Sequence, residues 1–155
     1  GIAISANGEV TMAAQPAFLA FNSAADTNAT GAGTAATVDF DTEIYDQNAD
    51  FASDTFTAPI TGRYLLNSSV GIASMEAAMT DMYLEIVTSN RNYTGIRISG
   101  DTTADKHLPC SVIADMDASD TATMRVTASN GSSDNASVHG HGTFIVTFFS
   151  GQLLA

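Results

Sequence analysis

Residues 36–66 read ATVDFDTEIYDQNADFASDTFTAPITGRYLL. Residues 37–44 alternate between side chains that favour burial and acidic side chains, which predicts a β-strand with one buried and one wet face. The predicted inward positions are Val38, Phe40, Thr42 and Ile44, and the acidic positions are Asp39, Asp41 and Glu43. A loop anchored by Phe51, a short strand at 55–57 and a turn at 59–62 follow, and a second alternating strand starts at residue 63.

The same period of two recurs along most of the chain, whereas helical periodicity is nearly absent. We predict a first strand at 16–21, loops at 22–36 and 100–107, and a connection at 74–80. The predicted inward residues of the later strands are Tyr64, Leu66, Val70, Ile72, Met82, Leu84, Ile86, Val112, Ala114, Met116, Met124, Val126 and Ala128. Eight to ten short strands separated by turns indicate an all-β sandwich or jelly roll.

The final predicted strand, residues 143–149 (TFIVTFF), differs from the others because it is apolar on both faces. A strand with one wet face would carry polar residues at every second position. One face of this strand can fill the core, so the other face needs a second partner.

Composition and charge limit the class of protein. The 155 residues are the size of one domain, and 45% of them are hydrophobic while 14% are charged. The net charge of −12 repels nucleic acid and anionic membranes, so we expect neither as a partner. No secretory signal or bilayer-spanning apolar run is visible. Cys110 cannot form an internal disulfide and is predicted to be a small buried hydrophobe.

Residues 1–15 are predicted to be an N-terminal arm that precedes the domain at 16–155. Its apolar residues are scattered among small ones without a helical stripe, so it has no core of its own. The residues predicted to contact a partner are Ile2, Ile4, Val10 and Met12.

Three motifs resemble those of a known family. The aromatics of residues 36–66 and the segment FTAPITGRY resemble the pattern Y/N…F…FT-x-P-x-x-G-x-Y, and residues 16–21 (PAFLAF) resemble an opening AF-x-A. Residues 147–154 (TFFSGQLL) resemble an ending TFSGFLL, with an additional Phe and with Gln152 in place of an aromatic residue. Over residues 16–154 the chain thus resembles the C1q-like domain, the head module of the C1q and tumour-necrosis-factor superfamily. The motif core residues are Phe40, Phe51, Phe56, Gly62, Tyr64, Gly151 and Leu153.

The resemblance implies a jelly-roll β-sandwich that forms a homotrimer around apolar strand faces. The residues expected at the trimer interface or in the core beside it are Phe18, Phe21, Phe144, Val146, Phe148 and Phe149. Residues 1–15 contain no collagen repeat or heptad coiled coil, so we expect a stalkless member of the bacterial and bacteriophage kind.

Catalytic and metal-binding chemistry has little support in the sequence. No nucleophile elbow, phosphate loop or dinucleotide fingerprint occurs, so we expect no enzymatic activity and no cofactor. His139 and His141 would share a strand face and could hold a divalent cation, although two exposed histidines beside glycines are the alternative that we favour. Carboxylates at 115–120, or Asp39 and Asp41, could hold calcium, but 115–120 departs from an EF-hand and a solvated turn is the simpler interpretation.

We therefore expect a structural protein that interacts with itself and with a larger assembly. The first hypothesis is a virion-surface protein, a bacteriophage capsid decoration (cement) protein whose trimer sits on a capsid shell through its arms. The alternative is a receptor- or glycan-binding head of a fibre or a secreted, extracellular ligand. In that case the loops at 22–36, 100–107 and 129–137 would carry the binding.

Overall fold

The computed structural model describes residues 1–100 and 104–155, so the tip of the predicted loop at 100–107 lies outside the described residues. The described part of the chain contains fifteen β-strands and no helix, and hence no helix long and apolar enough to cross a membrane. The strands are β1 (Ile2–Ile4), β2 (Val10–Met12), β3 (Ala17–Phe21), β4 (Ala24–Thr30), β5 (Ala35–Thr37), β6 (Thr42–Asp46), β7 (Phe51–Ala52), β8 (Thr55–Thr57), β9 (Gly62–Ala73), β10 (Asp81–Thr88), β11 (Asn92–Ser99), β12 (Lys106–Met116), β13 (Thr121–Ser129), β14 (Ala136–His141) and β15 (Phe148–Leu153).

The strands form two antiparallel sheets and a separate hairpin. One sheet has the order β11-β10-β13-β8-β7, with β5 also paired to β13. The other has the order β4-β14-β9-β15-β3-β6, with β12 paired along the second edge of β9. Strands β1 and β2 pair only with each other. The prediction of an all-β jelly-roll sandwich is confirmed.

Alternation along the long strands places one face of each sheet in a common core. In β9, every predicted inward residue is buried, and the same holds in β10 and β13. These predicted inward residues, each 0% exposed, are Tyr64, Leu66, Val70, Ile72, Met82, Leu84, Ile86, Met124, Val126 and Ala128. Cys110 is also buried, as predicted, and its thiol donates a hydrogen bond to the Tyr93 carbonyl at 3.6 Å.

Aromatic rings from residues 36–66 meet the chain ends in the centre of the core. The Phe18 ring stacks on Phe51 and on Phe56 with 4.8 Å between ring centroids, and meets Phe149 edge-on at 5.0 Å. Such pairs add about 0.5–1.5 kcal/mol beyond the area that they bury. The widely spaced aromatics of the sequence are therefore one cluster in space.

The remaining motif residues close the fold around this cluster. The Tyr64 hydroxyl donates a hydrogen bond to the Ile60 carbonyl at 2.7 Å, which fixes the turn before β9. A Cβ atom on Gly62 would lie 2.7 Å from the Ala155 carbonyl oxygen and from Leu153 Cδ1. A side chain at Gly62 would thus push the C-terminal segment, including the half-buried Leu153, off the sheet.

The prediction of a strand at 143–149 is wrong. The chain bends at Thr147, whose carbonyl accepts the Asn22 amide at 3.1 Å and whose hydroxyl accepts the Gly71 amide at 3.0 Å. Because Thr147 uses its polar groups in this way, regular pairing begins only at Phe148, where β15 joins β9 and β3. The preceding residues form a loop in which Phe144 is 71% exposed and Ile145 is 42% exposed.

Two predictions about residues 22–46 also need correction. The predicted loop at 22–36 contains β4 and the start of β5, because β14 and β13 each offer an edge for pairing. The predicted strand at 37–44 is interrupted, since the Phe40 amide bonds to Asp54 Oδ1 at 2.7 Å rather than to a neighbouring strand. Beyond this break β6 pairs with β3 through a register shift, and Ile44 faces solvent.

Candidate interaction site

The sheet that contains β9 has an outer face, the side away from the core. Cross-strand register assigns its residues, because directly paired residues project to the same side of a sheet. The central row consists of Tyr45, Leu19, Ser150, Asn67 and Ser111. The row on one side of it consists of Ala17, Gln152, Leu65 and Ile113. The row on the other side consists of Phe21, Phe148, Ser69 and Pro109. We call these thirteen residues the outer sheet face.

None of the residues of the outer sheet face carries a charge, although the chain has 17 acidic residues. Ile113 is 58% exposed and Tyr45 is 47% exposed, with Asn67 and Ser111 exposed between them. A shallow groove runs across the centre between Tyr45 and Leu65. Arg63 and Asp115 stand opposite each other beyond one end of the face.

The other sheet has the opposite character. The ion pairs found among the described residues, Arg97–Asp81 and Arg125–Glu85, both at 2.8 Å, lie on its outer side. Charge is therefore placed on one side of the sandwich and is absent from the centre of the other. Surfaces that bind proteins are depleted of charged residues at their core, so the outer sheet face is the candidate interaction site.

The arm is a β-hairpin with one apolar face. Ile2 pairs with Met12 and Ile4 pairs with Val10, so all four side chains project to the same side. Ile2 and Ile4 are 70% and 71% exposed, and Val10 and Met12 are also exposed. The base of the arm is tied to the domain by hydrogen bonds from Gln15 Nε2 to the Leu153 carbonyl and from Asn48 Nδ2 to the Ala14 carbonyl, at 2.7 and 3.0 Å.

The two histidines predicted to hold a cation have different surroundings. The Nδ1 atom of His141 accepts hydrogen bonds from the Thr143 and Phe144 amides, each at 3.0 Å, and its ring packs on Phe144. His139 instead lies beside Gly71 of β9, and His107 of β12 lies on the opposite side of that glycine. The structure therefore brings His139 next to His107, a partner that the sequence spacing did not indicate.

Two of the carboxylates considered as calcium ligands, Asp41 and Asp120, accept hydrogen bonds from other groups of the protein. Asp41 accepts hydrogen bonds from the Ser23 amide and hydroxyl at 2.9 and 2.6 Å, which holds the pKa of Asp41 below its usual value. Partial loss of hydration and the nearby Asp54 carboxylate raise the pKa of Asp39 to about 6. At 115–120, Asp120 caps the turn by accepting the Asp117 amide at 2.8 Å. No group of three or more potential ligands in position to hold a metal occurs among the described residues.

Comparison with solved structures gives the fold a name. The globular domain of zebrafish complement 1qA protein superposes with a TM-score of 0.63 at 14% identity, over 91% of this chain and 98% of that chain. Murine APRIL crystallised at pH 8.5 and at pH 8.0 gives TM-scores of 0.60 at 14% and 17% identity, over 90% of this chain and 99% of those chains. This is a C1q/TNF-like jelly roll. No protein-family model and no curated protein matches the sequence.

Within the C1q/TNF-like domain, the six residues predicted for the trimer interface or the core beside it divide into three groups. Phe18 and Phe149 are fully buried in the core of one chain, so another chain cannot touch them. Phe144 and Val146 lie in the loop before β15. Phe21 and Phe148 stand opposite each other on the outer sheet face, where Phe21 is 7% exposed.

Sequence reasoning missed most of the outer sheet face of the C1q/TNF-like domain. A usable signal was present, because Leu65 and Ile113 are apolar residues at the outward positions of otherwise alternating strands. The pairing of Leu65 with Ile113 brings both to one spot on the sheet. Tyr45 could not be assigned in this way, because β6 has an extra residue where its register with β3 shifts, and this changes the side that Tyr45 faces relative to Glu43.

Proposed function

We propose that this protein is a non-enzymatic structural and interaction module that forms a homotrimer through the outer sheet face. The observation that supports this most is the lack of charge on that face in a chain of net charge −12. Copies of so acidic a chain repel one another, and like charges placed together across an interface cost several kcal/mol. A face without carboxylates is where such copies can meet.

The fold resemblance supports three as the proposed number of copies. C1q-like heads meet around a three-fold axis through apolar strand faces, and an uncharged face with exposed Ile113 and half-buried Leu65 and Phe148 suits that arrangement. The groove between Tyr45 and Leu65 offers a place for a side chain of the neighbouring copy.

One matched pair of isosteric substitutions tests the trimer. Asn67→Asp adds a negative charge at the centre of the outer sheet face, and Asn92→Asp adds the same charge at an exposed position on β11. We expect a mass of three chains for the wild type and for Asn92→Asp by light scattering, and at least tenfold weaker association for Asn67→Asp, because a buried unpaired charge costs several kcal/mol. A monomeric wild type, or an equally stable Asn67→Asp trimer, contradicts the proposal.

We further propose that the trimer decorates a larger assembly, with a virion capsid shell as the first candidate. The support is the arm: an isolated two-stranded hairpin is marginally stable in water, and this one leaves four apolar side chains uncovered on one face. Three arms on one trimer bind together through high effective concentration, so each contact can be weak.

The location is tested by immunogold electron microscopy of particles purified from cells that make the protein. We expect labels on the surface of intact particles and loss of labelling when residues 1–13 are deleted. The deletion keeps Ala14 and Gln15, which contact the domain, so the trimer should persist by light scattering.

A recognition head of a fibre or an extracellular ligand is the second candidate. Loops at one end of the sandwich are tied to one another, because Asp134 accepts the Ala32 amide at 2.7 Å and Glu76 accepts the Ser132 amide at 3.0 Å. Loops held in this way present a defined surface. Protein found free outside cells rather than on particles would favour this candidate.

A further inference from the structure

Three neighbouring strands place two imidazoles on either side of a glycine. His107 of β12 is paired directly with Gly71 of β9. On the other edge of β9, Ser137 pairs with Ala73 and Val138 with Ile72, so the next residue of β14, His139, comes beside Gly71. His107, Gly71 and His139 thus form one row across the sheet.

This row faces outward, beyond the Phe148 end of the outer sheet face. The residues adjacent to the row along each strand, Ile72, Leu108 and Val138, are buried in the core, and successive residues of a strand project to opposite sides. His107 is exposed and His139 is half-buried, so solvent reaches the row.

The absence of a side chain at Gly71 leaves room between the two histidines. A Cβ atom on Gly71 would lie 2.9 Å from His139 Cβ, and 3.5 Å from Cε1 and 3.6 Å from Nδ1 of His107. The ring of His107 therefore leans over the glycine towards His139. Any other residue at position 71 would occupy the space that separates the two side chains.

We propose that His107 and His139 form a binding site for a divalent transition-metal ion such as Zn²⁺ or Cu²⁺. Neutral imidazole nitrogens are preferred ligands of these ions and bind at about 2.0–2.1 Å. Two imidazoles supply two ligands from one chain, and water completes the coordination. This site replaces the pairing of His139 with His141, whose Nδ1 is already used by two backbone amides.

The site goes beyond the proposed trimer and does not depend on it, because both ligands come from the same chain. The test uses the full chain without an affinity tag, titrated with Zn²⁺ at neutral pH by isothermal calorimetry. We expect one ion per chain, and a loss of affinity of at least tenfold in His107→Ala and in His139→Ala, since even indirect partners of a metal are worth about 10–100-fold. His141→Ala is the matched control and should bind as the wild type does.

A second measurement reports the ligands directly. Electron paramagnetic resonance of the Cu²⁺-loaded protein should show coupling to two imidazole nitrogens in the wild type and in His141→Ala, and to one in either single variant of the pair. Circular dichroism verifies that each variant is folded. Asn67→Asp should retain Zn²⁺ binding, which separates this inference from the trimer.

Several results would overturn the proposal. One is the absence of saturable Zn²⁺ binding up to about 1 mM, a dissociation constant that corresponds to about 4.1 kcal/mol of binding free energy. The others are an unchanged Zn²⁺ affinity in His107→Ala, or a loss of affinity in His141→Ala equal to that in His139→Ala. Loss of binding in Asn67→Asp would also contradict a site contained within one chain.

Discussion

At Gly151 the core leaves no room for a single methyl group. A Cβ atom there would lie 2.5 Å from Cε1 of Phe18 and 2.9 Å from Cδ2 of Leu66. Phe18 cannot move away freely, because its ring is stacked between Phe51 and Phe56. The glycine of the C-terminal motif is therefore required by packing, at the point where β15 crosses the aromatic cluster.

Gly151→Ala should lower the free energy of unfolding by about 1–3 kcal/mol, the usual cost of overfilling a packed core. Gly142→Ala is the control, since the nearest atom to its added Cβ is the Ser23 carbonyl oxygen at 4.0 Å. That variant should be unchanged or up to about 1 kcal/mol more stable. Denaturant unfolding measures both, and equal stabilities for the two variants would contradict the packing argument.

Asp39 gives the folded chain a pH dependence that one substitution can isolate. Because partial desolvation and Asp54 raise the pKa of Asp39 from 3.8 to about 6, the folded state retains this proton to higher pH than the unfolded chain does. The resulting stability is full below pH 3.8 and is lost as the pH rises through about 6. Asp39→Asn cannot lose a proton, so its melting temperature should rise relative to wild type between these two pH values.

The control for Asp39→Asn is Glu43→Gln, which removes one charge from an exposed position on β6. Melting curves of the three proteins, recorded at intervals of pH, give the comparison. A difference between Asp39→Asn and wild type that is constant with pH would show that Asp39 has an ordinary pKa.

At the scale of elements, the strands that alternate strictly could be predicted and the irregular ones could not. The sequence predicts β9, β10 and β13 because one face of each strand is buried along its whole length, which produces a regular alternation of apolar residues. The residues of the loop before β15 favour strands and so predict one, whereas the hydrogen bonds of Thr147 decide where pairing starts. Hydrogen bonds between residues that are far apart in the sequence produce no periodic pattern from which they could be predicted.

The corrected position of β15 separates two phenylalanines that the sequence pattern treats alike. Phe149→Ala removes a fully buried ring and should cost about 3–5 kcal/mol of folding free energy. Phe144→Ala removes a ring that is 71% exposed and should change stability by no more than about 0.5 kcal/mol. Denaturant unfolding of both variants measures these changes in folding free energy. Comparable losses of stability would indicate that residues 143–149 form a buried strand after all.

For the whole molecule, the separation of charge predicts how the proposed trimer should respond to salt. The outer sheet face has no ion pairs to weaken, whereas each chain carries a net charge of −12 that opposes association. The candidate site is only partly predictable, because the resemblance indicates a trimer and a set of interface or core residues but includes only Phe21 and Phe148 of the outer sheet face. Which residues face outward depends on register across five strands, and register is a property of the folded sheet.

Raising the salt concentration from about 0.01 M to 0.1 M shortens the screening length from about 30 Å to 10 Å. We therefore expect the proposed trimer to associate more tightly over this range, with less monomer in sedimentation velocity runs at equal protein concentration. Dissociation on adding salt would mean that charged contacts hold the copies together. In that case the interface would have to include basic residues, none of which lies on the outer sheet face.

The pairing of β3 with β15 has a consequence for how the protein is made. Leu19 lies opposite Ser150, so two neighbouring inner strands of the sheet are separated in the sequence by most of the chain. During synthesis the ribosome must pass residue 153 before β9 and β3 acquire the strand that joins them. Until then the nascent chain exposes unpaired strand edges and the aromatic core, and folding that depends on such distant contacts is slow. Cells that produce this protein in quantity should need chaperones that shield the nascent chain until β15 emerges.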